Sequence, residues 1–123
     1  VANKAVAPFR VSATGELYAT SVTVKGLLQN TWSIITGATN AVSGNGYACD
    51  TSGGAITLTL PATPAIGDIV HITDGASTFD VYNLTIARNG ENIMGLAENM
   101  TVSTKNMIFG LVYSDSTLGW RIA

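Results

Sequence analysis

The chain has 123 residues, 46% of them hydrophobic and only 11% charged, with a formal net charge of −2. That length suits one domain with one core, and the lack of any Lys/Arg cluster argues against a nucleic-acid partner. No apolar run approaches the length of a membrane-crossing helix, and a single cysteine, Cys49, rules out a disulfide within the chain.

The charged share is about half of what is usual. Thr, Ser, Asn and Gly take its place, which suits strands and tight turns. Few charges also mean little repulsion between copies, so an oligomer is expected over a monomer. "VANKAVAPFR" lacks the apolar stretch of a signal peptide.

From Pro8, the spacing predicts a short strand at Phe9–Ser12, a turn at Thr14-Gly15 and a longer strand at Glu16–Val24. Neither face of the longer strand is strongly apolar, so this arm is expected to lie on another surface. "LLQNTWSII" fits a helix or a strand, with Trp32, Ile34 and Ile35 favouring strand. "TGATNAVSGNG" reads as a loop. The boundary between an N-terminal arm (1–44) and a β-domain (45–123) is expected there.

Strands follow densely: Tyr47–Thr51, Ala55–Leu60 and Asp68–Thr73, the last two expected to pair across a corner at Pro61–Pro64. "FDVYN" reads as a loose loop or edge strand. Asn89-Gly90 carries the residues of a type I′ hairpin, predicted to join Leu84–Arg88 to Glu91–Met94. Met100–Ser103 is a further strand, and Met107–Tyr113 is nearly continuous in apolar residues, hence central. "SDSTLG" turns the chain into Trp120–Ile122. Short strands with frequent turn signals predict an all-β fold, an antiparallel sandwich or barrel-like domain.

The residues that carry chemistry point to little of it. His71 is the only histidine, no Gly-x-Ser-x-Gly elbow is present, and Asp68 and Asp74 fall on the opposite strand face. His71 therefore reads as an ordinary strand histidine; its one alternative is a metal held by three copies on a trimer axis. One Cys and one His cannot form a zinc site within one chain. The carboxylates sit mostly in turns and at strand ends, where Asp is common for backbone reasons. Tyr47, Phe79, Tyr82, Tyr113 and Trp120 fit either a sugar-stacking platform or core anchors. No catalytic residue, cofactor or metal is expected, and the chain is not expected to be an enzyme.

"DTSGGAITLTLPATPAIGDIVHITD", "NLTIARNGENIMGLAENMTVSTKN" and "LVYSDSTLGWRI", in this order, resemble a module of tail-fibre, head-fibre and related virion-surface proteins of tailed bacteriophages. The resemblance covers about residues 46–123, and "FRVSATGELYATSVTVKG" resembles the segments that lead into such modules. It implies a β-rich domain, usually trimeric, displayed on the virion surface after assembly in the bacterial host cytoplasm. It also implies no cofactor and usually no catalysis.

Two functions follow as expectations. One is a homotrimeric structural protein that decorates the capsid as cement or head fibre. Its arm would attach through Phe9, Val11, Leu17, Tyr18, Val22 and Val24. The other is a distal tail-fibre domain that binds a host-surface receptor or glycan through loops at 38–46, 74–83 and 114–119. Asn45, Asp74, Phe79, Tyr82 and Asp115 are its candidate surface residues. The partners are a phage capsid or tail protein and further copies of the chain, with no nucleic acid and no membrane insertion. A depolymerase ranks last.

Overall fold

The structure is a computed structural model. It describes the backbone at Arg10–Val11 and Leu17–Tyr18, and all of residues 31–123. Among the described residues there are strands and turns but no helix, and so none long and apolar enough to cross a membrane.

The first two strands, Arg10–Val11 (β1) and Leu17–Tyr18 (β2), pair antiparallel as a two-stranded sheet of their own. After them the chain winds. Trp32–Ile35 (β3) enters one sheet and Thr39–Asn40 (β4) a second. Gly46–Cys49 (β5) returns to the first sheet, and Ile56–Thr59 (β6) to the second. Ile69–Asp74 (β7) and Leu84–Ala87 (β8) repeat the circuit. Each circuit lays one parallel strand on the last, with Trp32 beside Gly46 and Gly46 beside His71 in one sheet, and Ile56 beside Leu84 in the other.

The last three strands reverse the direction. Met100–Val102 (β9) runs antiparallel to β8, Ile108–Asp115 (β10) antiparallel to β7, and Gly119–Ile122 (β11) antiparallel to β10. The result is a five-stranded sheet, β11-β10-β7-β5-β3, and a four-stranded sheet, β4-β6-β8-β9.

The all-β expectation holds, and the antiparallel one is corrected: both large sheets are mixed. Alternation tells which side of a strand is apolar, not which way its neighbour runs. Ala55–Leu60 and Asp68–Thr73 do not pair, because β6 and β7 lie in different sheets. The Pro61–Pro64 segment carries the chain between sheets, and its prolines bring no N–H that would need a ladder partner there. The Asp68 carboxylate then closes the corner by accepting from the Ala65 N–H at 2.9 Å.

Asn89-Gly90 adopts the positive φ values its residues favour, 51° and 93°. Glu91–Met94 is nevertheless not the returning strand; β9 is. The segment read as a loop at 36–46 contains β4. Both β3 and β4 lie on the arm side of the boundary expected at residue 44, and they are built into the two large sheets.

One core lies beneath both sheets. From the five-stranded sheet it takes Cys49, Val70, Ile72, Leu111 and Trp120, and from the four-stranded sheet Leu58, Leu84 and Ile86, all with 0% exposure. Burying side chains of this size stabilises the fold by about 1.5–3 kcal/mol each. Two polar devices hold the ends. The fully buried Thr51 hydroxyl lies 2.7 Å from that of Thr78. The Asp74 carboxylate accepts from the N–H groups of Ala76, Thr78, Phe79 and Asn106, tying the loop after β7 to the turn before β10.

Candidate functional site

The strand parities that bury Val70 and Ile72 send Ile69, His71 and Thr73 to the outer side of the five-stranded sheet. Register extends that outer side into rows. Trp32, Gly46, His71 and Gly110 form one row across β3, β5, β7 and β10. Ile34, Ala48, Thr73 and Ile108 form the next. Ile69, Val112 and Arg121 continue on the other side. Arg121 is the only fixed charge among these positions.

The two glycines shape the surface. A Cβ at position 46 would lie 2.4–2.7 Å from carbons of the Trp32 ring, so the ring lies directly on the backbone of β5. A Cβ at position 110 would come within 3.4 Å of both the His71 ring and Ile69. The Trp32 and His71 rings sit 6.0 Å apart, tilted by 35°. The face is therefore low and apolar, yet open: Ile34 is 78% exposed, Ile108 68% and Trp32 43%.

That exposure is unusual for this kind of sheet. Parallel strands are normally covered on both faces, because both carry apolar side chains. Five strands of this height offer about 400 Å², well within the range of the largest apolar patches on monomers, which often mark interaction sites.

The candidate loop residues do not converge. The last residues of the segment 38–46 and the turn at 114–119 lie at the start of β7, where Gly44 donates to Ile69 O at 2.8 Å and Tyr113 to Asp68 O at 2.8 Å. The loop at 74–83 leaves the opposite end of β7, where Gly75 donates to Cys49 O. Asn45 is half-buried and accepts from the His71 N–H through its carbonyl at 3.1 Å. Asp115 is exposed, but its carboxylate accepts from the Thr117 and Leu118 N–H groups and shapes the β10–β11 turn. Asp74 is committed to its four N–H donors. Burial pushes its carboxyl up, but those hydrogen bonds outweigh burial and hold it below the usual carboxylate range.

Phe79 is a correction: it is fully buried in the shared core and cannot form part of a contact surface. Tyr82 alone of that loop's candidates stays largely open, at 44%. Val11, Leu17 and Tyr18 lie in β1 and β2, while Phe9, Val22 and Val24 lie outside the described residues.

Reactive groups are held back. Burial, with the Asp74 charge adding to it, pushes the Cys49 thiol up to about 12, far from a nucleophilic thiolate. Among the described residues, no group of three or more His, Cys, Asp and Glu side chains is placed to hold a metal ion. The sequence reading missed the outer sheet face: β7 gives it only Ile69 beside His71 and Thr73, and its other large apolar side chains come from strands that pairing brings alongside.

A scan of protein-family models gives no match to the chain, and a search of curated proteins gives none either.

Proposed function

We propose that this chain is a non-enzymatic structural subunit of a tailed-phage virion. In this reading its two sheets form a β-sandwich, and a homotrimer decorates the capsid surface as a cement or head-fibre protein. The observation that carries the assembly part is the open apolar face of the five-stranded sheet. Water solvates that face poorly, and a nearly charge-free surface meets no like charge when it packs on another copy or on a capsid protein. The ordered motifs from Asp50 to Ile122 supply the virion part through their resemblance to fibre modules.

A second reading is a distal tail-fibre domain that binds a host-surface glycan. The exposed Trp32 ring, lying flat on Gly46 beside His71, favours it as a stacking platform for a sugar. The isoleucines around that ring favour protein contact over sugar. Antibody labelling of virions by electron microscopy tests the two: label over the capsid is expected, and label at the tail tip overturns the decoration reading. Light scattering at micromolar concentration tests the trimer, and a monomer overturns it.

A further inference from the structure

Two of these outer faces meeting would bury about 800 Å² in total, well short of the roughly 1,600 Å² of a typical stable pair. A lasting assembly needs a second contact, and the far end of the molecule offers one. There the five-stranded sheet overhangs the four-stranded sheet by a strand. Register puts Ile122 on the inner side beside Leu111, yet Leu111 is fully buried and Ile122 is 49% exposed. Among the described residues the four-stranded sheet ends at β9, with no strand to lie over β11. The gap is a cleft of about 240 Å³ whose apolar lining is Met100, Val102, Met107, Phe109 and Ile122, with Thr101, Ser103 and Thr104 beside them. A second hollow, of about 160 Å³, adjoins it across Met100.

The two sheet edges at this end differ. The edge of β11 is closed: Trp120 donates to Asn92 O, Met94 donates to Trp120 O, and the Ile122 N–H donates to Met94 Sδ at 3.4 Å. The outer edge of β9 has no strand partner among the described residues. An open edge beside an apolar cleft is the geometry of strand addition, in which backbone bonds hold the incoming strand and the cleft takes its alternate side chains. Methionines suit such a receiving surface because they repack around what enters.

The same chain carries a matching piece. β1 and β2 pair only with each other among the described residues, and a lone two-stranded ribbon is marginal in water until a third strand or a surface supports it. Its two-residue strands match the short β9. We propose that the β1–β2 pair of one copy adds to β9 of a second copy, as the fifth strand of its four-stranded sheet, and covers Ile122 and the methionine cleft. Exchange of such an element between identical copies is a low-cost route to assembly, and it supplies the contact area the outer face lacks. This inference rests on the self-assembly in the reading above and not on the virion.

The test joins thiols between copies. One differently tagged chain carries Thr101→Cys and the other Tyr18→Cys, and the co-expressed full-length chains are treated with a short bis-maleimide. Cys49 can stay, since its buried thiol does not compete. The expected result is a cross-link between the two tags. It should fall about tenfold or more when the Thr101→Cys chain also carries Ile122→Glu, which puts a carboxylate in the apolar mouth. Circular dichroism of that half-exposed variant should match the parent. A chain carrying both cysteines that cross-links only within itself overturns the proposal, as does an oligomer that gives no cross-link at all. A monomer overturns both this inference and the assembly reading, so the two failures are distinguishable.

Discussion

The two large sheets share a core but turn different surfaces outward. On the four-stranded sheet, Thr57, Thr85 and Thr101 lie side by side across β6, β8 and β9, with Asn40 and Thr59 in the adjoining row. Their hydroxyls and amide satisfy water directly. On the five-stranded sheet, the matching outward positions hold Trp32, Ile34, Ile69, Ile108 and Val112. The inward sides of both sheets are equally apolar, so the core does not explain the contrast. One sheet turns hydroxyls to solvent, and the other leaves large apolar side chains open to it.

The largest effect should come from charging each face in turn. Ile34→Lys with Ile108→Lys leaves the core untouched, because both side chains are mostly exposed. It should weaken self-association by about 100-fold or more, since like charges facing each other cost several kcal/mol. Thr57→Lys with Thr85→Lys should leave association unchanged. Sedimentation of both variants checks this, and equal behaviour breaks the comparison.

Acid is a way to unfold the chain without touching either outer face. The Asp74 carboxyl is held below its usual range in the fold, so its stabilising contribution is complete above the unfolded value of about 3.9 and is lost as pH falls through the folded one. Asp74→Asn should cost about 1–2 kcal/mol at neutral pH, because its amide can serve only part of the four N–H donors. It should also flatten the acid limb of the stability curve. Denaturant titrations between neutral and acid pH measure both, and an unchanged acid limb sinks the assignment.

Gly46→Ala is subtler. The new Cβ must push the Trp32 ring off the strand, but the ring borders solvent and can swing away. Fold stability should change by about 1 kcal/mol or less, since Ala is the better strand residue. Trp32 emission should shift to the red while the buried Trp120 stays as it is, and association should weaken. Smallest of all, Thr85→Val on the solvated face should alter stability by no more than about 0.5 kcal/mol and leave the oligomeric state as it was.

Much of this architecture was legible as strands and little of it as topology. Ile56, Leu58, Val70 and Ile72 announce their inward faces by alternation, and Asn89-Gly90 announces its backbone. The direction of each neighbour does not show in that pattern, because it is decided by connections that cross between sheets. Thr39 and Asn40 are too few, and too typical of turns, to signal a strand; their place comes from pairing beside Leu58 and Thr59. The outer face escaped for a related reason. On β7 its side holds Ile69 with His71 and Thr73, and the apolar character emerges only when pairing brings Trp32, Ile34 and Ile108 alongside. Phe79 marks the same limit, since its loop is polar and its burial depends on distant strands.

The winding of the chain also sets the order in which the protein can be made. In the parallel part of each sheet, every strand pairs with the one laid down a circuit earlier, so synthesis from the N-terminus builds the stack outward from β3 and β4 toward β7 and β8. A nascent chain can therefore extend an existing layer as each circuit leaves the ribosome. The apolar interior stays open until β10 returns along β7 and the Trp120 ring closes over it. Chains stalled before residue 108 would lack Phe109, Leu111, Tyr113 and Trp120 and leave the part of the core that these cover exposed to chaperones and to one another.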